Sequence, residues 1–365
     1  MSGFTFYGVG VLKIEAVAAA PLKTGRILLF CRLEMRRLGL LKGAHPQPAL
    51  LKSGFWVVFG LNQSHLTIMH FSTDTFRAWP HKRITLLGMS GVGKTHLSTL
   101  LRAHDWFHFS GDYRIGTRYL DEPILDLIKQ QAMQTPFLRD LLRRDWIDIK
   151  NNIKVHDLGP VLSFIGKLGG PTWEGLSLEE FSRRQALYRA GEIAAMKDVP
   201  EFINKGREIY GYPHFVNDVG GSLCELDEPG VVELLAEHTL ILYIQTTTRD
   251  EEDTLIRRAQ SDPKPLYYRP AFLAENLPIY LQQKSLEYVA QIEPDDFTRW
   301  IFPRLFHSRL PRYEAIAEPH GYTVTSQEVA QVKDERDFLA LVEAAIARKP
   351  RNQHPQEVRN AAGRA

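Results

Sequence analysis

The run Gly88-Met89-Ser90-Gly91-Val92-Gly93-Lys94-Thr95 restricts the fold of this chain more than any other feature. Three glycines in six positions let successive backbone N–H groups turn inward along a curve that Cβ atoms would obstruct. Arg83–Leu87, just before the run, is a short apolar stretch that predicts a buried parallel strand, and residues 96–103 continue at helical spacing. In that strand, loop and helix context the amides and the positive helix N-terminus form a phosphate cradle. Lys94 is placed to reach the β- and γ-phosphates of ATP or GTP, and the Thr95 hydroxyl to ligate magnesium. A glycine turn with a chance lysine is the bland alternative. This pattern arises by accident in on the order of 1% of chains this long, which favours the cradle.

Composition removes several function classes. The formal net charge of +2 over 365 residues gives no electrostatic case for a nucleic-acid partner and leaves a small molecule as the expected one. Cys31 and Cys224 form no CxxC pair or Cys/His cluster, so neither a disulfide framework nor a zinc site is expected, and a reducing cytoplasm is the default location. The best uninterrupted apolar stretch, around 55–61, is far short of the roughly 18 to 20 residues that span a bilayer, so no membrane role is expected.

Residues 1–68 carry Glu15 and Glu34 as their only acids and show no sustained helical or strand period. They are expected to be a non-domain N-terminal extension, either an organellar transit peptide or translated upstream sequence. The second is preferred, because Met69 opens a short polar lead into the first clean strand. Residues 69–348 are expected to form the domain, and 349–365 a frayed polar tail.

Several later segments place charge at strand ends. Trp106–Ser110 reads as the next strand and runs into Gly111-Asp112-Tyr113-Arg114. Strand carboxyl ends face the ligand crevice of open α/β sheets, so Asp112 is expected to orient an acceptor hydroxyl or take its proton, and Arg114 to fix an anionic group on the acceptor. Helix capping by Asp112 with a solvated Arg114 is an equal alternative at this point. Residues 119–210 read as a helical insert, with apolar spacing over 124–142 and 178–196. A strand then ends in Asp218-Val219-Gly220-Gly221-Ser222. Asp218 is suited to hold a magnesium-bound water, and Gly220 and Gly221 to close approach of a ligand. A further strand over 239–246 precedes a helix over 250–260 bearing Arg257 and Arg258. The proline-stiffened loop 261–270, which holds Arg269, follows. Arginines on a closing loop can neutralise a phosphoryl group in transit. Residues 309–317 read as a helical piece, Gly321–Thr325 as a strand and 336–347 as an amphipathic helix.

In this order the pieces resemble the shikimate-kinase-like branch of the P-loop small-molecule kinases, over about residues 83–346. Asp112, Asp218-Val219-Gly220-Gly221 and Arg269-Pro270-Ala271-Phe272-Leu273 stand at the family's acceptor, glycine-rich and lid positions. Arg309-Leu310-Pro311-Arg312-Tyr313-Glu314-Ala315-Ile316-Ala317 is similar to its closing element, whose arginine lies by the adenine. The resemblance implies an α/β P-loop NTPase three-layer fold, with a parallel five-stranded sheet in the order 2-3-1-4-5, a helical insert and a lid. Departures set the chain apart from a shikimate kinase. Ser110 stands where the family has a second acid, Ser222 replaces a third glycine, Lys264-Pro265 precedes the Arg-Pro pair, and the insert is about twice as long.

The expected activity is an ATP-dependent kinase acting on a small metabolite with Mg2+. Its catalytic residues are expected to be Lys94, Asp112 and Arg258, and its metal ligands Thr95 and Asp218. Nucleotide contacts are expected from residues 88–95 and Arg309, and acceptor contacts from Asp112, Arg114, Gly220, Gly221 and Arg269. The alternative is an ATPase switch that docks a protein partner through the insert. GTP is disfavoured, since the chain lacks an Asn-Lys-x-Asp run.

Overall fold

The computed structural model describes residues 11–21, 27–36, 57–61 and 71–349. It divides into two units, 1–67 and 68–365. In the first, strands β1 (Val11–Pro21), β2 (Ile27–Arg36) and β3 (Val57–Leu61) form an antiparallel sheet in the order β1-β2-β3. The sequence reading found no strand period in this segment. A register shift between Ala16 and Ala18 breaks the two-residue alternation on which such a reading depends. Met69 and residues 350–365 lie outside the described residues.

The second unit holds strands β4 (Arg83–Leu87), β5 (Trp106–Ser110), β6 (His214–Asp218), β7 (Leu240–Gln245) and β8 (Gly321–Thr325). All neighbouring pairs are parallel and the order is β5-β6-β4-β7-β8, which is 2-3-1-4-5 counted from β4. The fold is therefore α/β, with the expected sheet. β4 and β7 are continuous apolar runs because helices cover the sheet: Ile84, Leu86, Leu242 and Ile244 are all buried. Register carries the functional consequence. Ser110 pairs with Asp218 and Leu86 with Asp218, so the carboxyl ends of β5, β6 and β4 lie side by side.

Helix Lys94–Arg102 follows the glycine loop and packs against β5 and β6 through Leu97 and Leu101. The insert is helical, as expected: Asp121–Ala132, Pro136–Arg143, Gly159–Ile165, Leu178–Lys197 and Val199–Glu208. The 124–142 spacing is split into two helices, because Pro136 brings no N–H to continue the first and instead opens the second. Residues 309–317 fall inside one long helix, Pro294–His320, rather than starting a new one. Among the described residues no helix is long and apolar enough to cross a membrane.

Candidate functional site

The glycine loop is built as its sequence requires. Gly88, Gly91 and Gly93 have φ of 147°, 91° and 107°, all in the region where side chains are strained. A Cβ on Gly88 would stand 2.7 Å from the Ile244 carbonyl oxygen, so strand β7 itself excludes any other residue there. Lys94 is almost fully buried, and its Nζ donates to the carbonyl oxygens of Gly88 and Met89 at 2.7 and 2.8 Å. Burial pulls its ammonium below the usual lysine range, while the Asp218 and Asp112 carboxylates pull the other way. The cradle and its lysine are thus one hydrogen-bonded unit.

The loop opens into a cavity of about 340 Å³ at the carboxyl edge of the sheet. Ser90, Gly91, Gly93, Lys94, Thr95, Asp112, Asp218, Gly220 and Gly221 line it together, although they come from three strand ends far apart in the sequence. Met89 and Val92 face the core instead, as their near-complete burial requires. Thr95 Oγ1 donates to Asp218 Oδ2 at 3.4 Å, which juxtaposes the two oxygens expected at magnesium. Burial raises the Asp218 carboxyl and the Lys94 charge opposes the rise. Asp112 is raised by burial and by Asp218, and Tyr188 donates to its Oδ1 at 3.2 Å.

Four expected arginines are not among the lining residues. Arg114 turns away because a better partner stands behind it: Nε donates to Asp198 at 2.7 Å, and the guanidinium lies over the Phe202 ring at 4.8 Å. Arg309 is buried, and donates to Glu225 Oε2 through Nε (2.9 Å) and Nη2 (2.6 Å) and to the Tyr267 carbonyl at 3.0 Å. It remains beside the cradle, since Nη1 is 3.6 Å, and Ser90 N 3.5 Å, from the point a Cβ on Gly221 would occupy. Arg269 stands 3.7 Å from Glu225 and 3.6 Å from Asp227. Arg258 is exposed on helix Arg249–Ser261, and no side chain of the described residues pairs with it. The paired acids explain three of the four placements, since a guanidinium's fork of donors is matched by a carboxylate within reach.

The sequence reading missed residues that the fold adds. His96, Thr99, His108, Val155, His156 and Leu158 also line the cavity. His108 Nε2 is 3.9 Å from Asp218 Oδ2, yet burial, helped by the Arg102 charge, pushes its pKa down to about 4, so the ring is neutral near pH 7. Glu192, on helix Leu178–Lys197, is fully buried next to the cavity. Its Oε2 accepts from Ser222 at 2.6 Å, and its Oε1 has no hydrogen-bond partner. Asp112 Oδ1 and Glu192 Oε1 each lie 3.0 Å from where a Cβ on Gly220 would stand, so Gly220 is the space in which two carboxyls meet. A helix with mixed charged and apolar residues gives no sequence signal for this. The available hint is Glu192 one helical turn from Tyr188 on the same face.

No protein-family model matches this chain, and no curated protein sequence matches it. Among solved structures, a shikimate kinase from Bacteroides thetaiotaomicron aligns at 16% identity over 76% of this chain and 98% of its own, with a TM-score of 0.33. The fold assignment above rests on strand order and register rather than on that likeness.

Proposed function

We propose that this chain is an ATP- and Mg2+-dependent kinase that phosphorylates a hydroxyl group of a small molecule. The observation that carries the reading is the convergence of the left-handed glycine loop, Lys94, Asp112 and Asp218 on one cavity. The donors fit the ion. Thr95 and Asp218 offer hard oxygen ligands, and the described residues hold no cluster of three or more His, Cys, Asp or Glu suited to a metal. Mg2+ is commonly held in this way, by one or two protein oxygens with phosphates and waters completing its shell. Bound there, it would neutralise charge on the phosphates.

The chain's own residues account for the remaining work. Amides of residues 88–95 orient the phosphates, and Lys94 exchanges two carbonyl oxygens for phosphate oxygens. Asp112, fixed by Tyr188, accepts the proton of the acceptor hydroxyl as that oxygen bonds to the transferred phosphorus and the bond to the leaving oxygen breaks. Arg258 and Arg269 are proposed to reach the phosphates through movement of loop 262–269, and Arg309 to support the nucleotide from behind Gly221. Calorimetry with ATP in the presence and absence of Mg2+, followed by a metabolite panel scored for ADP release against acceptor-free controls, tests the reading. Asp112→Asn should retain nucleotide affinity and lose acceptor-dependent turnover. Unchanged turnover would remove Asp112 from its role.

A second reading, an ATPase that reports nucleotide state to a protein docked on the insert, is supported by Phe137 and Trp146, which are 70% and 66% exposed. It requires ATP hydrolysis without acceptor, stimulated by a partner.

A further inference from the structure

We infer that the acceptor is an uncharged polyhydroxyl molecule with an apolar edge, of the sugar or nucleoside kind, and not a carboxylate or phosphate ester. This inference rests on the kinase reading and narrows it. Recognition of an anionic acceptor requires a guanidinium or ammonium free to meet it, and among the described residues this cavity has none to spare. Lys94 is its one lysine or arginine, and it serves the phosphate cradle. Of the neighbouring arginines, Arg114 is held by Asp198, Arg309 by Glu225, and Arg189 by the Leu226 carbonyl, to which its Nε donates at 2.8 Å, while Arg258 and Arg269 are assigned to the phosphates. Arg102, outside the lining, meets His156 Nε2 at 3.2 Å.

What remains on the acceptor side is a set of hydrogen-bonding groups of low positive charge. Asp112 and Asp218 are carboxyls, Ser110 and Thr99 are hydroxyls, and His96, His108 and His156 are imidazoles. Carboxylates accept from hydroxyl donors and repel anions, and a bound Mg2+-triphosphate adds further negative charge beside them. Val155 and Leu158 add apolar surface to the lining, which suits the C–H face of a sugar ring or a flat base.

The test uses the full chain and matched pairs that differ in charge: glucose against glucuronate, and adenosine against adenosine monophosphate. Phosphoryl transfer from radiolabelled ATP and direct binding of each compound by calorimetry are measured, alongside binding of Mg2+-ADP. The uncharged member of at least one pair is expected to bind and to exceed its anionic partner by about tenfold or more in kcat/KM, since like-charge juxtaposition is strongly unfavourable. Introducing a guanidinium at the cavity wall, Val155→Arg, should narrow that ratio. Preference for the anionic members, or failure of every uncharged compound to bind a protein that does bind Mg2+-ADP, overturns this inference alone. Failure to bind Mg2+-ADP overturns it together with the kinase reading.

Discussion

Glu192→Gln isolates the energetic consequence of placing a carboxyl with no exposed surface beside Asp112. Burial pushes the Glu192 pKa up to about 8 from the model-peptide value of 4.5, against the Ser222 hydrogen bond and with help from the Asp112 charge. Between those two values the unfolded chain has released this proton and the folded chain has kept it, so folding takes up a proton there. Stability therefore falls as pH rises through the window and levels off above it. The slope is about 1.4 kcal/mol per pH unit, and the accumulated loss by pH 7 is roughly 3 kcal/mol. Glutamine has the same shape, can accept from Ser222 and does not titrate, so the variant should match the parent near pH 5 and exceed it by roughly 2–3 kcal/mol at pH 7. Urea denaturation at pH 5.0, 6.0, 7.0 and 8.0, comparing midpoints at a common m-value, measures the difference. Asp112 and Asp218 titrate in both proteins, so the difference reports Glu192. Parallel pH dependences for parent and variant would refute the idea that this carboxyl is held protonated by the fold.

Three further perturbations test the cradle and its support. Gly88→Ala sets a Cβ 2.7 Å from the Ile244 carbonyl at φ 147°, and should destabilise by about 2 kcal/mol or more in urea melts; a neutral result would mean the loop is not built as described. Lys94→Ala should weaken Mg2+-ATP binding about tenfold to a hundredfold in calorimetry, the worth of a charge-assisted contact, while leaving the far-ultraviolet circular dichroism unchanged. Arg309→Met strands Glu225, which has no exposed side-chain surface, and should cost about 3–5 kcal/mol; the double variant with Glu225→Leu should recover most of that loss, and a single-variant cost under about 1 kcal/mol would contradict the pairing.

The sheet was legible because its strands are short, apolar and bounded. Arg83–Leu87, Trp106–Ser110 and Gly321–Thr325 lie where the residue pattern put them. Strand order was a different matter. No property of the individual strands dictates that β6 lies between β5 and β4, and the expectation came from the resemblance of the ordered motifs. The chemistry at Asp112, Asp218, Gly220 and Gly221 was readable from strand ends, because parallel register brings those ends to one edge. The arginines were not, since a guanidinium's direction depends on which carboxylate the fold brings within reach: Asp198 is 84 residues from Arg114, and Glu225 is 84 residues from Arg309. His108 faces the cavity from inside a strand that reads only as an aromatic run, and Glu192 and Tyr188 come from a helix whose apolar spacing marks the helix but not which of its polar residues turn to the site.

Gln185 adds a polar clasp between helix Leu178–Lys197 and loop 262–269, which also meet through Phe181 on Tyr268 and Tyr188 on Tyr267. Its Nε2 donates to the Leu266 carbonyl at 3.1 Å, and its Oε1 accepts from the Tyr268 N–H at 2.8 Å, so one amide grips loop 262–269 from the same helix that carries Tyr188 and Glu192. The loop is therefore coupled to that helix like two shutters on a single rod. Displacing it either breaks both hydrogen bonds of the Gln185 amide or drags Glu192, and with it one wall of the space at Gly220, along with the loop.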